Sequence, residues 1–222
     1  MIMPQAIKQH PLKPDTFLIE KATDVWTEYQ KTKPDLSVLH QSTSRPIAVL
    51  GAGASLPDDI KNLPIDCLTI SCNHHALRLV PNADYIAFLD PVNSNHSQEY
   101  KDVIRSTKIH RISVWNLDYT DYYCVSEEPW HDASDTGRFA TWLACYITSG
   151  DVILCGMNLR LQGERNHFYD SEDDVNHWGG SKIEVKLAQW KQVFTRCYRP
   201  ERVKAMSGIL VNTFGQWKSE KL

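Results

Sequence analysis

Short apolar runs recur along the chain, and most of them end at Gly, Asn or Asp. Apolar runs rich in β-branched residues and bounded by such breakers are typical of buried strands. They predict six strands, at residues 47–50, 67–72, 84–89, 109–115, 151–155 and 202–206.

Segments with helical spacing of apolar residues alternate with these runs. We predict helices around 99–105, from Asp135 or Thr136 to about 149, over 183–196 and over 209–217, with shorter helical starts after the first two strands. Strands that alternate with helices through short connections are typical of a parallel sheet covered on both faces. The predicted fold class is therefore α/β, a doubly wound, mostly parallel, Rossmann-like sheet.

Two stretches depart from this alternation. Residues 1–45 are polar and interrupted by Pro, with one helical pattern over 15–31, so we expect an N-terminal helical appendage packed on a Rossmann-like domain formed by 46–222. Residues 116–134 are rich in aromatic and acidic residues and predict a long loop or lid, with a surface insertion as the alternative.

Composition limits the function classes. A chain of 222 residues with 42% hydrophobic content can bury one sizeable core, and its net charge of −3 comes without a basic run. We therefore expect neither nucleic acid nor a membrane surface as a partner. The first residues lack an apolar signal segment, so the protein is expected to be soluble and cytoplasmic. Six cysteines without a C-x-x-C pair do not indicate a disulfide framework.

The first strand leads into the turn G-A-G-A-S-L, which begins at Gly51. Ser55 is suited to cap a following helix, and backbone N–H groups left free at such a turn would form a cradle for a phosphate. An ordinary strand-to-helix turn is the equally open alternative, since Asp58 and Asp59 would oppose a phosphate there. Leu56 replaces the third Gly of a dinucleotide fingerprint, and no Walker motif occurs, so NAD and a Walker-type ATPase are not expected.

Ligands of open α/β sheets bind beyond the carboxyl ends of the strands. Polar or small residues follow the predicted strands there, at Gly51 to Ser55, Asn73, Asp90, Asn116 and Gly156 to Asn158. Each of these also has an ordinary role in a turn.

His167 is the titratable residue best suited to proton transfer, because it lies in the polar loop after the 151–155 strand and imidazole titrates near neutral pH. A surface histidine is the alternative. Together with Asp170, Asp173, Asp174 and His177 it could also bind a divalent cation, but the spacing matches no metal motif, and a solvated acidic loop is favoured.

Several motifs in order resemble one group of Rossmann-like proteins: G-A-G-A-S-L, S-C-N, A-D-Y-I-A-F-L-D, D-T-G-R-F-A-T-W-L-A, V-I-L-C-G-M-N-L and N-H-F-Y-D. The group comprises family 42 sialyltransferases, Maf flagellin glycosyltransferases, MptE-like 6-hydroxymethylpterin pyrophosphokinases and uncharacterised phage proteins. The phage-encoded members are the most similar, and the resemblance runs from about residue 46 to 217.

The resemblance implies roles for individual residues. In the sialyltransferases the Gly turn, the Asn after the second strand and a Ser/Thr-Gly pair hold a cytidine nucleotide, and a distal His is the base, here His167. This chain has Ala52 and Ala54 where the family has Asn and Pro, which leaves the donor open. With the strand-end residues, the candidate nucleotide-binding set is Gly51, Gly53, Ala54, Ser55, Asn73, Thr136, Gly137, Gly156 and Asn158.

The resulting hypothesis is a nucleotide-dependent group transferase, a glycosyltransferase that uses a nucleotide-activated sugar of the CMP-sugar type, with no resident metal or other cofactor. One alternative is a Mg²⁺-dependent pyrophosphokinase, in which Asp90 would hold the cation. The other is a non-catalytic, phage-type accessory protein that keeps the fold as a nucleotide-binding module.

Overall fold

A single parallel sheet organises the fold. The computed structural model describes residues 36–89, 97–115, 117–124, 135–159, 167–169, 183–197 and 199–218, apart from the side chains of Phe194 and Arg196. Within them seven strands pair in the order β5-β4-β3-β2-β1-β6-β7, and every neighbouring pair is parallel. The strands are β1 (Ile47–Leu50), β2 (Leu68–Cys72), β3 (Tyr85–Phe88), β4 (His110–Ser113), β5 (Tyr122–Tyr123), β6 (Val152–Cys155) and β7 (Val203–Ala205).

Five α-helices accompany the sheet in the described residues: α1 (Leu56–Asp59), α2 (Gln98–Ser106), α3 (Thr136–Ile147), α4 (Ile183–Arg196) and α5 (Val211–Phe214). Single 3₁₀ turns lie at Leu36–Leu39, Ile60–Asn62, His75–Arg78 and Pro200–Arg202. All six predicted strands are present, each at most two residues shorter at an end, and the α4 prediction matches at both ends. The predicted terminal helix over 209–217 is shorter, since α5 is a single turn.

Helices cover both faces of the sheet, as the doubly wound prediction requires. Side chains of β1 alternate: Ile47 and Val49 join the cluster that holds α3, whereas Ala48 and Leu50 pack with Leu56 of α1. All four are fully buried, because a strand in the middle of a parallel sheet has no solvent-facing side. The α/β fold class is thus confirmed.

A strand lies within the predicted loop at 116–134. Tyr122–Tyr123 forms β5, a two-residue edge strand parallel to β4, so that part of the loop prediction is wrong. Its pairing depends on Asp121, whose carboxylate accepts from the backbone N–H of Arg111 at 2.7 Å and from its guanidinium at 2.9 Å. Because an ion pair rather than buried apolar residues holds this strand, the sequence contains no apolar run that would predict it. Residues 125–134 lie outside the described residues.

The end of the predicted N-terminal appendage packs on the carboxyl end of α3. Leu36 is buried in the main core, and the side-chain amide of Gln41 donates to the carbonyl oxygens of Cys145, Tyr146 and Thr148 at 3.0–3.2 Å. Those carbonyls lack partners within the helix, so Gln41 serves as a cap supplied from outside it. The predicted helix over 15–31 lies outside the described residues, and the division at residue 45 stays a prediction.

The direction of the chain reverses beside β1. From β1 the strands add outwards through β2 to β5, and α3 then carries the chain back across the sheet to β6 on the other side of β1. In open α/β sheets this reversal leaves a crevice at the carboxyl ends of the two central strands. No helix in the described residues is both long enough and apolar enough to cross a membrane.

Candidate functional site

A cleft of about 770 Å³ opens at this reversal. Its floor is formed by the turns after β1, β2 and β6, and its walls by the first turn of α3, one face of α4 and the segment at His167. Eight of the residues singled out from the sequence line it: Gly51, Gly53, Asn73, Thr136, Gly137, Gly156, Asn158 and His167. Residues up to 116 positions apart in the sequence therefore meet in one site.

Four other predicted residues are placed differently. Ser55 and Ala54 are not among the residues that line the cleft, and Asp90 and Asn116 lie outside the described residues. The side chain of Ser55 makes no capping hydrogen bond to α1, so the prediction of a cap is wrong. Its hydroxyl instead lies 2.9 Å from Asp59 Oδ2 and 3.0 Å from Asn158 Oδ1.

A buried carboxylate, that of Asp59, joins the turns beneath the cleft. The residue is only 5% exposed, and its Oδ2 accepts from the backbone N–H of Gly156 at 2.8 Å. The hydroxyls of Ser55 and Ser207 lie 2.9 Å from the same oxygen and 2.7 Å from each other. The network connects the turns after β1, β6 and β7, and it holds Asn158 Oδ1 toward Ser55.

The glycine amides of the first turn are not free. Gly51 and Gly53 donate their N–H groups to the carbonyl oxygens of Cys155 and Gly156, each at 2.8 Å, so the expected cradle lacks those two donors. The glycines serve close packing instead: a Cβ at either position would lie 2.5 Å from the Gly156 carbonyl oxygen. The turn after β1 thus packs directly on the turn after β6, which is the ordinary structural role left open by the sequence.

The opposite side of the cleft joins the end of β2 to the start of α3. Asn73 has a left-handed backbone (φ 57°), and its Nδ2 lies 3.5 Å from Thr136 Oγ1. Asp135 is one of the two residues predicted to cap α3. Its carboxylate does so by accepting a hydrogen bond from the backbone N–H of Arg138 at 2.8 Å. Its other carboxylate oxygen accepts from the guanidinium of Arg138, so the carboxylate in the cleft is already paired.

His167 belongs to an aromatic cluster at the rim of the cleft. Its ring stacks on Tyr169 with centroids 4.9 Å apart, and Tyr169 also stacks on His75 at 4.6 Å. The backbone anchors the segment, because the N–H of Phe168 donates to the carbonyl oxygen of Ala52 at 3.0 Å. His167 therefore lies beside the turn after β1, in the same cleft as Gly53 and Asn73.

His75 supplies a second imidazole, 6.2 Å from the His167 ring centroid to centroid. Burial, aided by the neighbouring His74, His167 and Arg78 side chains, lowers the pKa of His75 to about 4, so His75 is neutral at physiological pH. Arg78 lies over the Tyr169 ring and also binds Glu99 in a two-contact ion pair at 2.5 and 3.0 Å. The cluster thus contributes a neutral imidazole beside His167.

The described residues supply no nucleophilic thiol to the cleft. Cys72 lines it, but burial, with a contribution from the charge of Asp135, raises the pKa of the Cys72 thiol well above its usual range. A thiol that stays protonated is a weak nucleophile. The chemistry of the described cleft therefore depends on imidazole, amide, hydroxyl and ammonium groups.

Sequence reasoning missed several residues that line the cleft: His75, Asp135, Lys186, Gln189 and Trp190. The apolar spacing of α4 predicts the helix, but it does not predict which part of the fold the polar face of the helix meets. The sequence therefore does not indicate that Lys186 and Gln189 line the cleft. His75 could have been found from its place two residues after Asn73. The acidic and histidine residues of the hypothetical metal site other than His167 lie outside the described residues, and no group of three or more metal-binding side chains occurs within them.

Comparison with known proteins adds no assignment: no protein-family model, no curated protein and no solved structure matches the chain. The family resemblance of the sequence motifs therefore remains a hypothesis.

Proposed function

We propose that this protein is a nucleotide-dependent group transferase that binds a nucleotide-activated sugar in the cleft and transfers the sugar to a hydroxyl acceptor. One observation carries the proposal: residues chosen from the sequence for nucleotide binding and for proton transfer line the same cleft, at the reversal point of a parallel sheet. Its volume of about 770 Å³ is within the range of pockets that hold small ligands.

His167 is the proposed general base. An imidazole nitrogen takes the proton of the acceptor hydroxyl, and that oxygen bonds to the anomeric carbon of the sugar. The bond between this carbon and the phosphate oxygen breaks, and its electron pair leaves with the nucleotide. Stacking on Tyr169 supports this role because it fixes the ring orientation, which a proton acceptor requires.

Asn73, Thr136 and Gly137 are the proposed contacts to the nucleoside part. Asn73 and Thr136 present an amide and a hydroxyl a hydrogen bond apart, a pair able to donate to and accept from a base or ribose. Gly137 lies next to Trp190 at the cleft, and a Cβ added at Gly137 would lie 3.3 Å from the Trp190 indole. A larger residue at Gly137 would narrow the cleft.

The first experiment asks whether a nucleotide binds. Thermal unfolding is followed with CMP, UDP, GDP, ADP and ATP, each with and without Mg²⁺, since a ligand that binds only the folded state raises the melting temperature. We expect a cytidine nucleotide to give the largest increase without Mg²⁺. No increase with any nucleotide would contradict the proposal.

The second experiment measures release of free nucleotide from nucleotide sugars. His167→Ala should lower turnover roughly 10² to 10⁴-fold and leave nucleotide affinity nearly unchanged. His110→Ala is the matched control, because His110 is exposed and begins β4 at the opposite end of the sheet.

Two results would favour the other candidates. Turnover that EDTA abolishes and Mg²⁺ restores would favour the pyrophosphokinase, in which Asp90 binds the cation. Nucleotide binding without turnover of any nucleotide sugar would favour the non-catalytic module.

A further inference from the structure

A phosphate in the cleft needs a source of positive charge. The phosphate oxygen that leaves with the nucleotide gains negative charge as the bond to the sugar breaks, and stabilising that charge is a large part of group-transfer catalysis. The amides of Gly51 and Gly53 cannot provide it, because they already donate to Cys155 and Gly156. The carboxylate of Asp135 makes the described cleft more negative, although Arg138 partly neutralises it.

Among the described residues, most cationic side chains near the cleft are already paired. Arg138 is bound to Asp135, and Arg78 to Glu99. His75 is neutral at physiological pH, because burial lowers its pKa to about 4. These groups do not offer a full, uncommitted charge to a ligand.

Lys186 differs from them. It lines the cleft from α4, and Gln189 and Trp190, three and four residues further along the same helix face, line it as well. The residue is half-buried, and none of the ion pairs within the described part of the chain includes it. Coulomb attraction between opposite charges is stronger at a partly buried site than in bulk water, so a lysine in this wall is well placed to bind an anion.

The position of Lys186 is fixed by the packing of α4 on α3. Trp190 is buried at 2% exposure, and a Cβ on Gly137 would lie 3.3 Å from its ring, so the two helices meet at the first turn of α3. Lys186 lies one helical turn before this contact, about 6 Å along the axis. Lys186 is therefore part of the α4 wall of the cleft.

We propose that Lys186 binds the phosphate of the nucleotide and stabilises its charge as the sugar leaves. The phosphate then lies on the α4 side of the cleft rather than in the glycine turn. This inference rests on the proposed function, since it names the residue that holds the phosphate in the same site.

The test compares nucleotides with their nucleosides. Isothermal titration calorimetry measures the binding of CMP, UMP, GMP and AMP, and of the four corresponding nucleosides, to the wild type and to Lys186→Gln. We expect the variant to bind the monophosphate roughly 10- to 100-fold more weakly, the effect of one charged hydrogen bond, and the nucleoside with nearly unchanged affinity. Lys186→Arg should keep most of the affinity, because it keeps the charge.

Lys191→Gln is the matched control, because Lys191 is exposed on the same helix and does not line the cleft. It should bind every probe like the wild type. A folded Lys186→Gln variant with unchanged monophosphate affinity would overturn the role of Lys186 and leave the proposed function intact. Equal losses for nucleoside and monophosphate would also overturn it. A wild type that binds none of the monophosphates would overturn both.

Discussion

Replacing Asp59 by Ala tests how the turns beneath the cleft are held together. The carboxylate is buried and accepts from the Gly156 N–H, with the hydroxyls of Ser55 and Ser207 at 2.9 Å from the same oxygen. Removing the Asp59 carboxylate deprives three chain segments of their shared hydrogen-bond acceptor.

The expected loss of stability depends on whether the three hydrogen-bond donors find other acceptors in the variant. The two hydroxyls can bond to each other, since they lie 2.7 Å apart, and Ser55 retains Asn158 Oδ1 at 3.0 Å. The Gly156 N–H has no such substitute, and an unsatisfied buried donor costs roughly 1–3 kcal/mol. With the loss of charge-assisted bonds, we expect Asp59→Ala to lower the free energy of unfolding by about 2–4 kcal/mol. Asp59→Asn keeps a carbonyl acceptor and should cost about half as much.

Urea denaturation measures these differences, provided that the slope with denaturant is the same for each variant. The neighbouring Asp58 provides the control: its side chain is 81% exposed and pairs only with the exposed Lys61. Asp58→Ala should therefore cost less than about 1 kcal/mol. If Asp59→Ala were as mild as Asp58→Ala, the carboxylate would not be holding the turns.

Three further predictions concern stability. Folding lowers the pKa of His75 from 6.5 to about 4, so the unfolded chain binds the proton more tightly, and wild-type stability should fall between pH 6.5 and pH 4. His75→Gln should reduce that fall in urea midpoint, and an unchanged pH profile would contradict the assigned environment. Gly51→Ala should cost about 1–3 kcal/mol by overpacking, because its Cβ would lie 2.5 Å from the Gly156 carbonyl oxygen. A variant as stable as the wild type would show that the two turns can separate freely. Gln41→Ala should cost about 1 kcal/mol through loss of its side-chain hydrogen bonds at the carboxyl end of α3, and a change below about 0.5 kcal/mol in the same assay would show that the Gln41 backbone N–H and Arg202, which bond to the same carbonyls, are sufficient.

The central strands were predictable because burial on both sides leaves an unbroken apolar run. The β1 and β6 strands are of this kind, with all four residues of each buried. Helix α3 was predictable for a related reason: Asp135 marks its start, and most of its residues are apolar and buried.

The errors arise where tertiary contacts decide the role of a polar residue. Ser55 is a residue type that often caps helices, but its hydroxyl lies within hydrogen-bond distance of Asp59 and Asn158 instead. Tyr122 is in a strand because Asp121 binds Arg111, ten residues earlier. Pairings of this kind leave no periodic signal in the sequence.

The candidate site divides in the same way. Strand ends could be listed from the sequence, and the rule for open α/β sheets brings them to one edge. Contributions from helix faces could not be listed, because which face of α4 meets the cleft depends on how Trp190 packs against α3. Lys186 is therefore a residue that only the folded structure supplies.

A crystal structure of the protein with the nucleotide that gives the largest thermal shift would test the central claim most directly. We predict density for the nucleotide in the cleft, in contact with Asn73 and Thr136, with its phosphate near Lys186 and His167 beside the position of the sugar. The sheet also has a second cleft, of about 560 Å³, at its opposite end near Tyr85 and His110. A nucleotide bound there, or an empty cleft beside β1 at saturating nucleotide, would contradict the account.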